Sequence, residues 1–222
     1  PACTSPPTCI TVNVTSPITG LGTMADRQVC VGGTTSFSVN PGGGPLTYVW
    51  SESRDNGLTW AVVNNGGVYS GATTNTLTLT GVTRTAPVDM NNFLYRCAVT
   101  AAPCGSQTTN NARLTVFGLP VVTISATDLA LLPNQTSTIT ATSVPGPHAT
   151  TPGWAWTRNG SSYPGTTNSV VSDIDRLGVF QVSVTDVNGC RNSSNQLLIE
   201  AETGDKLWLY PNPTSGQFQV RL

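Results

Sequence analysis

Charge is scarce in this sequence. Charged side chains supply 9% of its 222 residues, and the formal net charge is -1. No basic stripe runs along the chain, which excludes the usual electrostatic footprint of a nucleic-acid surface. No acidic block is present either, which excludes an acidic tail or an ion store. No apolar run approaches the ~20 residues of a transmembrane helix. Histidine occurs once, at His148, and none of the six cysteines stands in a CxxC pair, so ordinary zinc spacing is missing and no cofactor is expected. Pro1 opens a polar stretch with no initiating Met and no apolar leader, so the sequence reads as a fragment of a longer precursor.

What is present is a polarity built from Thr, Ser, Asn and Gly, which suits strands and turns. Period-two alternation recurs: Phe37 and Val39 share a face, as do Leu46, Tyr48 and Trp50, then Leu77 and Leu79, then Tyr95, Cys97 and Val99, then Ala112, Leu114 and Val116. Gly- and Asn-rich breakers separate these runs, among them Asn56-Gly57 and Asn64-Asn65-Gly66-Gly67. Short strands at this spacing predict an all-β sandwich. The second half repeats the plan. Tyr48-Val49-Trp50 corresponds to Trp154-Ala155-Trp156, the run 94–100 to 179–185, and Cys104-Gly105 to Gly189-Cys190. The expected organisation is the end of a preceding repeat over 1–17, one module over 18–117, a second over 118–201, and a terminal segment from 202.

Three stretches now carry a resemblance: Val29 to Phe37, Tyr48-Val49-Trp50, and Tyr95-Arg96-Cys97-Ala98-Val99. They resemble an immunoglobulin-like repeat of surface proteins in the Bacteroidota. The resemblance implies tandem immunoglobulin-like β-sandwiches, with Trp50 in the core and Tyr95 at the spacing of a tyrosine corner. It also implies a bridge between Cys30 and Cys97, near one end of the sandwich because Cys30 precedes Gly32-Gly33. Such a bridge would stabilise by ~2–4 kcal/mol. Cys3 and Cys9 are the next pair, closing a local loop. Cys104 and Cys190 occupy equivalent turns and stay unassigned, since six cysteines allow fifteen full pairings. An even count in a Thr-rich β chain points to an oxidising compartment.

Several motifs suggest chemistry and read more simply as structure. Ser53-Arg54-Asp55-Asn56-Gly57-Leu58-Thr59-Trp60 matches the Asp-box of sialidase propellers. A single copy reads as a hairpin in which Asp55 caps turn amides and Trp60 packs beneath. Glycoside hydrolysis needs two facing carboxylates. Asp173 and Asp175 would share a face if both lay in a strand, with Arg176 beside them, but nothing marks a groove there. Asp186 to Gly189 reads as a hairpin turn rather than a calcium loop, and His148 as a solvated loop residue. Catalysis is therefore not expected. Trp60, Trp154 and Trp208 are the candidates for an exposed glycan platform.

The longest motif is terminal: Leu209-Tyr210-Pro211-Asn212-Pro213-Thr214-Ser215-Gly216, preceded by Lys206-Leu207-Trp208 and followed by a strand-like run from Gln217. It resembles the opening of the type A sorting domain of type IX secretion cargo. That resemblance implies delivery through the periplasm to the outer-membrane surface or the medium. The implied partners are the translocon, shuttle and attachment proteins of that machinery. Family members continue for more strands, so a truncated copy is expected at Leu222. The sequence thus points to a noncatalytic stalk or adhesin-like region with a surface glycan or protein as ligand. The alternative is the accessory or carbohydrate-binding tail of a larger secreted hydrolase.

Overall fold

The computed structural model describes residues 16–144 and 153–202, with the backbone of 208–210 and 219–221. The chain divides into two compact units between Phe117 and Gly118.

The first unit contains β1 (Arg27–Cys30), β2 (Thr34–Ser38), β3 (Leu46–Ser53), β4 (Ala61–Val62), β5 (Tyr69–Ser70), β6 (Thr76–Thr80), β7 (Arg84–Thr85), β8 (Val88–Asp89), β9 (Leu94–Ala101), β10 (Gly105–Thr108) and β11 (Ala112–Phe117). One sheet runs β1-β11-β9-β3-β4, with β10 also on β9; the other runs β2-β6-β5; β7 and β8 form a separate hairpin. Strand β1 lies parallel to β11, while β3 and β9 pair antiparallel over eight positions, with Trp50 opposite Cys97. Alternation decides the core: Phe37, Trp50, Leu77, Leu79, Tyr95, Cys97, Leu114 and Val116 are all buried, each large apolar side chain contributing about 1.5–3 kcal/mol.

The second unit contains β12 (Val121–Ala126), β13 (Ala130–Leu131), β14 (Thr136–Val144), β15 (Trp154–Arg158), β16 (Ser161–Tyr163), β17 (Ser169–Asp173), β18 (Gly178–Thr185), β19 (Arg191–Ser193) and β20 (Leu197–Ala201). Its sheets are β12-β14-β17 and β13-β20-β18-β15-β16, with β19 also on β18. Trp156 sits opposite Val182 as Trp50 sits opposite Cys97. The β15–β16 hairpin turns on Asn159 and Gly160, with φ of 51° and 78°, the left-handed pair of a type I′ turn whose twist matches the strands. Short strands β21 (Trp208–Tyr210) and β22 (Gln219–Arg221) pair antiparallel.

Each unit interrupts its last strand in the same way. In the first unit, Thr109 Oγ1 accepts the Cys97 amide and the Thr109 amide returns to the Cys97 carbonyl, both at 3.0 Å. In the second, Ser194 does the same for Val182, at 3.1 and 2.8 Å. The next residue is asparagine in both. Asn110 takes the Met24 amide at 2.7 Å and donates to the Met24 carbonyl at 2.9 Å. Asn195 holds Ile124 likewise, at 3.0 and 3.3 Å. A side-chain amide thus replaces one rung of a ladder and fixes the entering segment.

The entering segments then differ. In the second unit that segment is strand β12, paired with β14 over six positions. In the first, Gly20 and Gly22 adopt φ of +61° and +70°, a conformation incompatible with a continuous strand. Among the described residues no strand lies on the outer side of β2, where Arg27 Nε donates to the Ser36 carbonyl at 2.8 Å. Two packed sheets with an early strand parallel to the last, β1 along β11 and β13 along β20, define the immunoglobulin-like sandwich in both units.

Candidate functional site

The cysteines depart from expectation. Cys97 carries a free, fully buried thiol in β9, and burial pushes its pKa up to about 11. Cys30 is disulfide-bonded, as is Cys190, but Cys97 is not its partner. Cys30 ends β1 level with Phe117 of β11, and β11 stands between β1 and β9 in one sheet. Extending the β9–β11 register, in which Ala112 faces Tyr95, brings Cys97 level with Asn110. The two cysteines are thus offset by seven residues along the strands, about 24 Å at strand rise, far beyond the reach of a disulfide. Cys3 and Cys9 lie outside the described residues.

Tyr95 also departs from the tyrosine-corner expectation. Its ring stacks on Phe37 at 4.8 Å, and its hydroxyl meets that of Tyr69 at 3.0 Å. Tyr69 in turn donates to Glu52 Oε2, so the Tyr95 hydroxyl is the donor in that pair. Arg54 donates to Glu52 Oε1 through Nε at 2.8 Å and Nη2 at 2.5 Å, and its guanidinium lies 5.3 Å from the centre of the Phe93 ring. Glu52 is 5% exposed, so both carboxylate oxygens are answered inside the protein, as burial demands. Burial, reinforced by the neighbouring groups, raises both phenol pKa values, and the Glu52 hydrogen bond and charge raise that of Arg54. Alternation contains the missed signal: Glu52 shares the inward parity of Trp50 in β3.

The Asp-box segment forms the β3–β4 turn. Asp55 Oδ1 accepts from Ser53 Oγ at 2.7 Å and from the Thr59 amide at 2.9 Å, while Oδ2 accepts from Thr59 Oγ1 at 2.5 Å. Asn56 and Gly57 take φ of 57° and 93°. These hydrogen bonds, led by the Thr59 hydroxyl, lower the Asp55 pKa to about 2. The carboxylate is consumed by the turn. In the second unit Asp186 Oδ1 accepts the amides of Asn188 and Cys190 at 2.9 and 2.8 Å, again as a turn cap. Asp173 ends β17 and Asp175 lies in the following turn, so the condition for a shared strand face is not met. Arg176 reaches Asp173 at 3.3 Å.

Trp60 is covered by the Arg96 guanidinium, 3.9 Å from its centre, and donates to the Gly57 carbonyl at 3.2 Å. Trp154 is half-buried and packed against the second core. One face of Trp60 is therefore taken by the protein's own guanidinium, and Trp154 is partly committed to the core. The side chain of Trp208 and the residue His148 lie outside the described residues. Of the sorting motif, Leu209 and Tyr210 lie in β21, paired with Val220 and Gln219; Pro211, Asn212, Pro213, Thr214, Ser215 and Gly216 lie outside the described residues.

Two immunoglobulin-like sandwiches in one chain are the class of architecture these observations define. No protein-family model matches the sequence, and no curated protein does. Among solved structures, the chain is similar to the N-terminal four immunoglobulin domains of Dscam1 isoform 6.9, at 12% identity and a TM-score of 0.42, over 85% of this chain and 47% of that one. It is similar to an eight-domain fragment of Down Syndrome Cell Adhesion Molecule, at 12% identity and a TM-score of 0.42, over 89% of this chain and 28% of that one. An I-band fragment of titin matches at 15% identity and a TM-score of 0.43, over 83% and 66%. The chain spans about half the length of the Dscam1 fragments it matches.

Proposed function

We propose that this chain is the noncatalytic C-terminal region of a secreted or cell-surface protein, built of stalk- or adhesin-like modules and delivered by type IX secretion. The observation that carries the delivery reading is the sequence of the segment Leu209 to Gly216. In this reading the segment is what the translocon, shuttle and attachment proteins handle, and the sandwiches are the cargo displayed at the outer surface of a Bacteroidota cell. The disulfide-bonded Cys30 and Cys190 support passage through an oxidising compartment. The noncatalytic reading draws support from how the carboxylates are used: Asp55 and Asp186 cap turns and Glu52 is sealed by Arg54 and Tyr69.

The test is a periplasmic reporter fused to residues 202–222 with any native sequence that follows, expressed in a host with type IX machinery. Surface or extracellular reporter supports the proposal. Retention in the periplasm, with a known cargo exported in parallel, overturns it.

A further inference from the structure

The first unit contains a cavity of about 400 Å³ between the turn before β5 and the β7–β8 hairpin. This size suits a fragment-sized ligand, at the lower end of ordinary binding sites. Its apolar wall comes from Val68, Tyr69, Pro87, Val88 and Met90, and Arg54 is the one charged residue in the lining. The inner edge of the Arg54 guanidinium is held by Glu52, with Nε and Nη2 both on one carboxylate oxygen. Nη1 has no partner among the described residues, and the side chain is 58% exposed. The second carboxylate oxygen is taken by Tyr69. The acid is thus satisfied inward, while a preorganised cationic edge remains at the mouth of an apolar cavity. A guanidinium held in one orientation loses little freedom when it meets a planar anion.

The second unit offers an internal contrast. It too has a cavity of about 400 Å³, with Arg176 in the lining, but there Asp173 engages Nη1, at 3.3 Å, the nitrogen that Glu52 leaves open on Arg54. In both cavities the arginine is the one charged residue of the lining. We infer that the first unit binds a small apolar carboxylate, its hydrocarbon body against Val68, Pro87 and Val88 and its anionic head on Arg54.

The experiment is an amide-detected NMR titration of the full chain with 4-phenylbutyrate and with its uncharged amide. The acid is expected to shift the amides of Val68 and Val88 and to bind about tenfold more tightly than the amide, the margin of a charge-assisted hydrogen bond. Arg54→Gln should remove that margin. Val88→Trp, which adds bulk to the cavity wall, should abolish binding of both probes. A capped peptide ending in a free leucine carboxylate, compared with 4-phenylbutyrate, distinguishes a chain terminus from a free acid as the source; tighter binding of either supports the site. Equal affinity for acid and amide, shifts confined to other surfaces, undiminished binding by the Val88→Trp variant, or no binding by any probe at about 10 mM would overturn it.

Discussion

The two units solve one packing problem with different interiors. Trp50 and Trp156 occupy the same register position, and each indole donates to a backbone carbonyl, of Thr74 at 2.8 Å and of Thr167 at 2.9 Å. Around them the chemistry diverges. Tyr95 of the first unit corresponds to Phe180 of the second, and each receives a tyrosine ring edge-on. Tyr69 supplies it from β5 at 6.3 Å, Tyr163 from β16 at 5.1 Å. Glu52 corresponds to Arg158, which lies 5.7 Å from the Tyr163 ring centre. Cys97 corresponds to Val182, both fully buried. The tryptophan and the Ser/Thr-Asn strand break are shared; the buried acid and the thiol are not. What is shared specifies the sandwich, and what differs individualises the first unit.

The largest expected effect should leave the comparison intact. Trp50→Ala and Trp156→Ala should each cost their own unit about 3–5 kcal/mol, read from urea unfolding of that unit. A large inequality would mean that the two tryptophans do not hold equivalent cores. The next effect should split the units. Arg54→Ala leaves Glu52 buried with Tyr69 alone and should cost about 2–3 kcal/mol. Arg158→Ala removes no partner of a buried charge and should cost less than about 1 kcal/mol. Equal losses would remove the buried acid from the account.

Smaller and again matched, Asn110→Ala and Asn195→Ala should each cost about 1 kcal/mol. Hydrogen exchange should quicken at the Met24 amide in one variant and at the Ile124 amide in the other. The smallest effect belongs to the first unit alone and depends on pH. Because the folded Asp55 pKa is lowered to about 2, from about 3.9 in an unfolded chain, its contribution is present above the unfolded value and is lost as pH falls through the folded one. The Thr59 amide resonance should titrate with a midpoint near 2, and Asp55→Asn should abolish that titration. A midpoint near 4 would mean an uncapped turn.

Much of this was legible in the sequence because alternation is a local property. Leu77, Leu79, Cys97, Val99, Leu114 and Val116 are buried where period two places them, and Asn159-Gly160 turns as that dipeptide dictates. The match between Trp50 and Trp156 followed from aligning the halves. The cysteine pairing was not legible, because it depends on which sheet β1 joins. A residue just before Gly32-Gly33 can lead into either sheet; the parallel pairing with β11 sends Cys30 to the same sheet as Cys97 and to its far end. The shared face of Asp173 and Asp175 was conditional on a strand through both, and β17 ends at Asp173. The strand breaks at Asn110 and Asn195 were not legible, since a side chain standing in for a ladder rung leaves no periodic trace. Glu52 was visible in principle, as a carboxylate on the face of Trp50, but its partner Tyr69 is remote in sequence.

The central claim is that packing and hydrogen bonding, not a bridge between Cys30 and Cys97, hold the first sandwich. It is tested most directly by unfolding the unreduced protein in denaturant, alkylating it, and mapping its peptides. The account predicts alkylated Cys97, with Cys30 and Cys190 protected. A peptide joining Cys30 to Cys97 would contradict it.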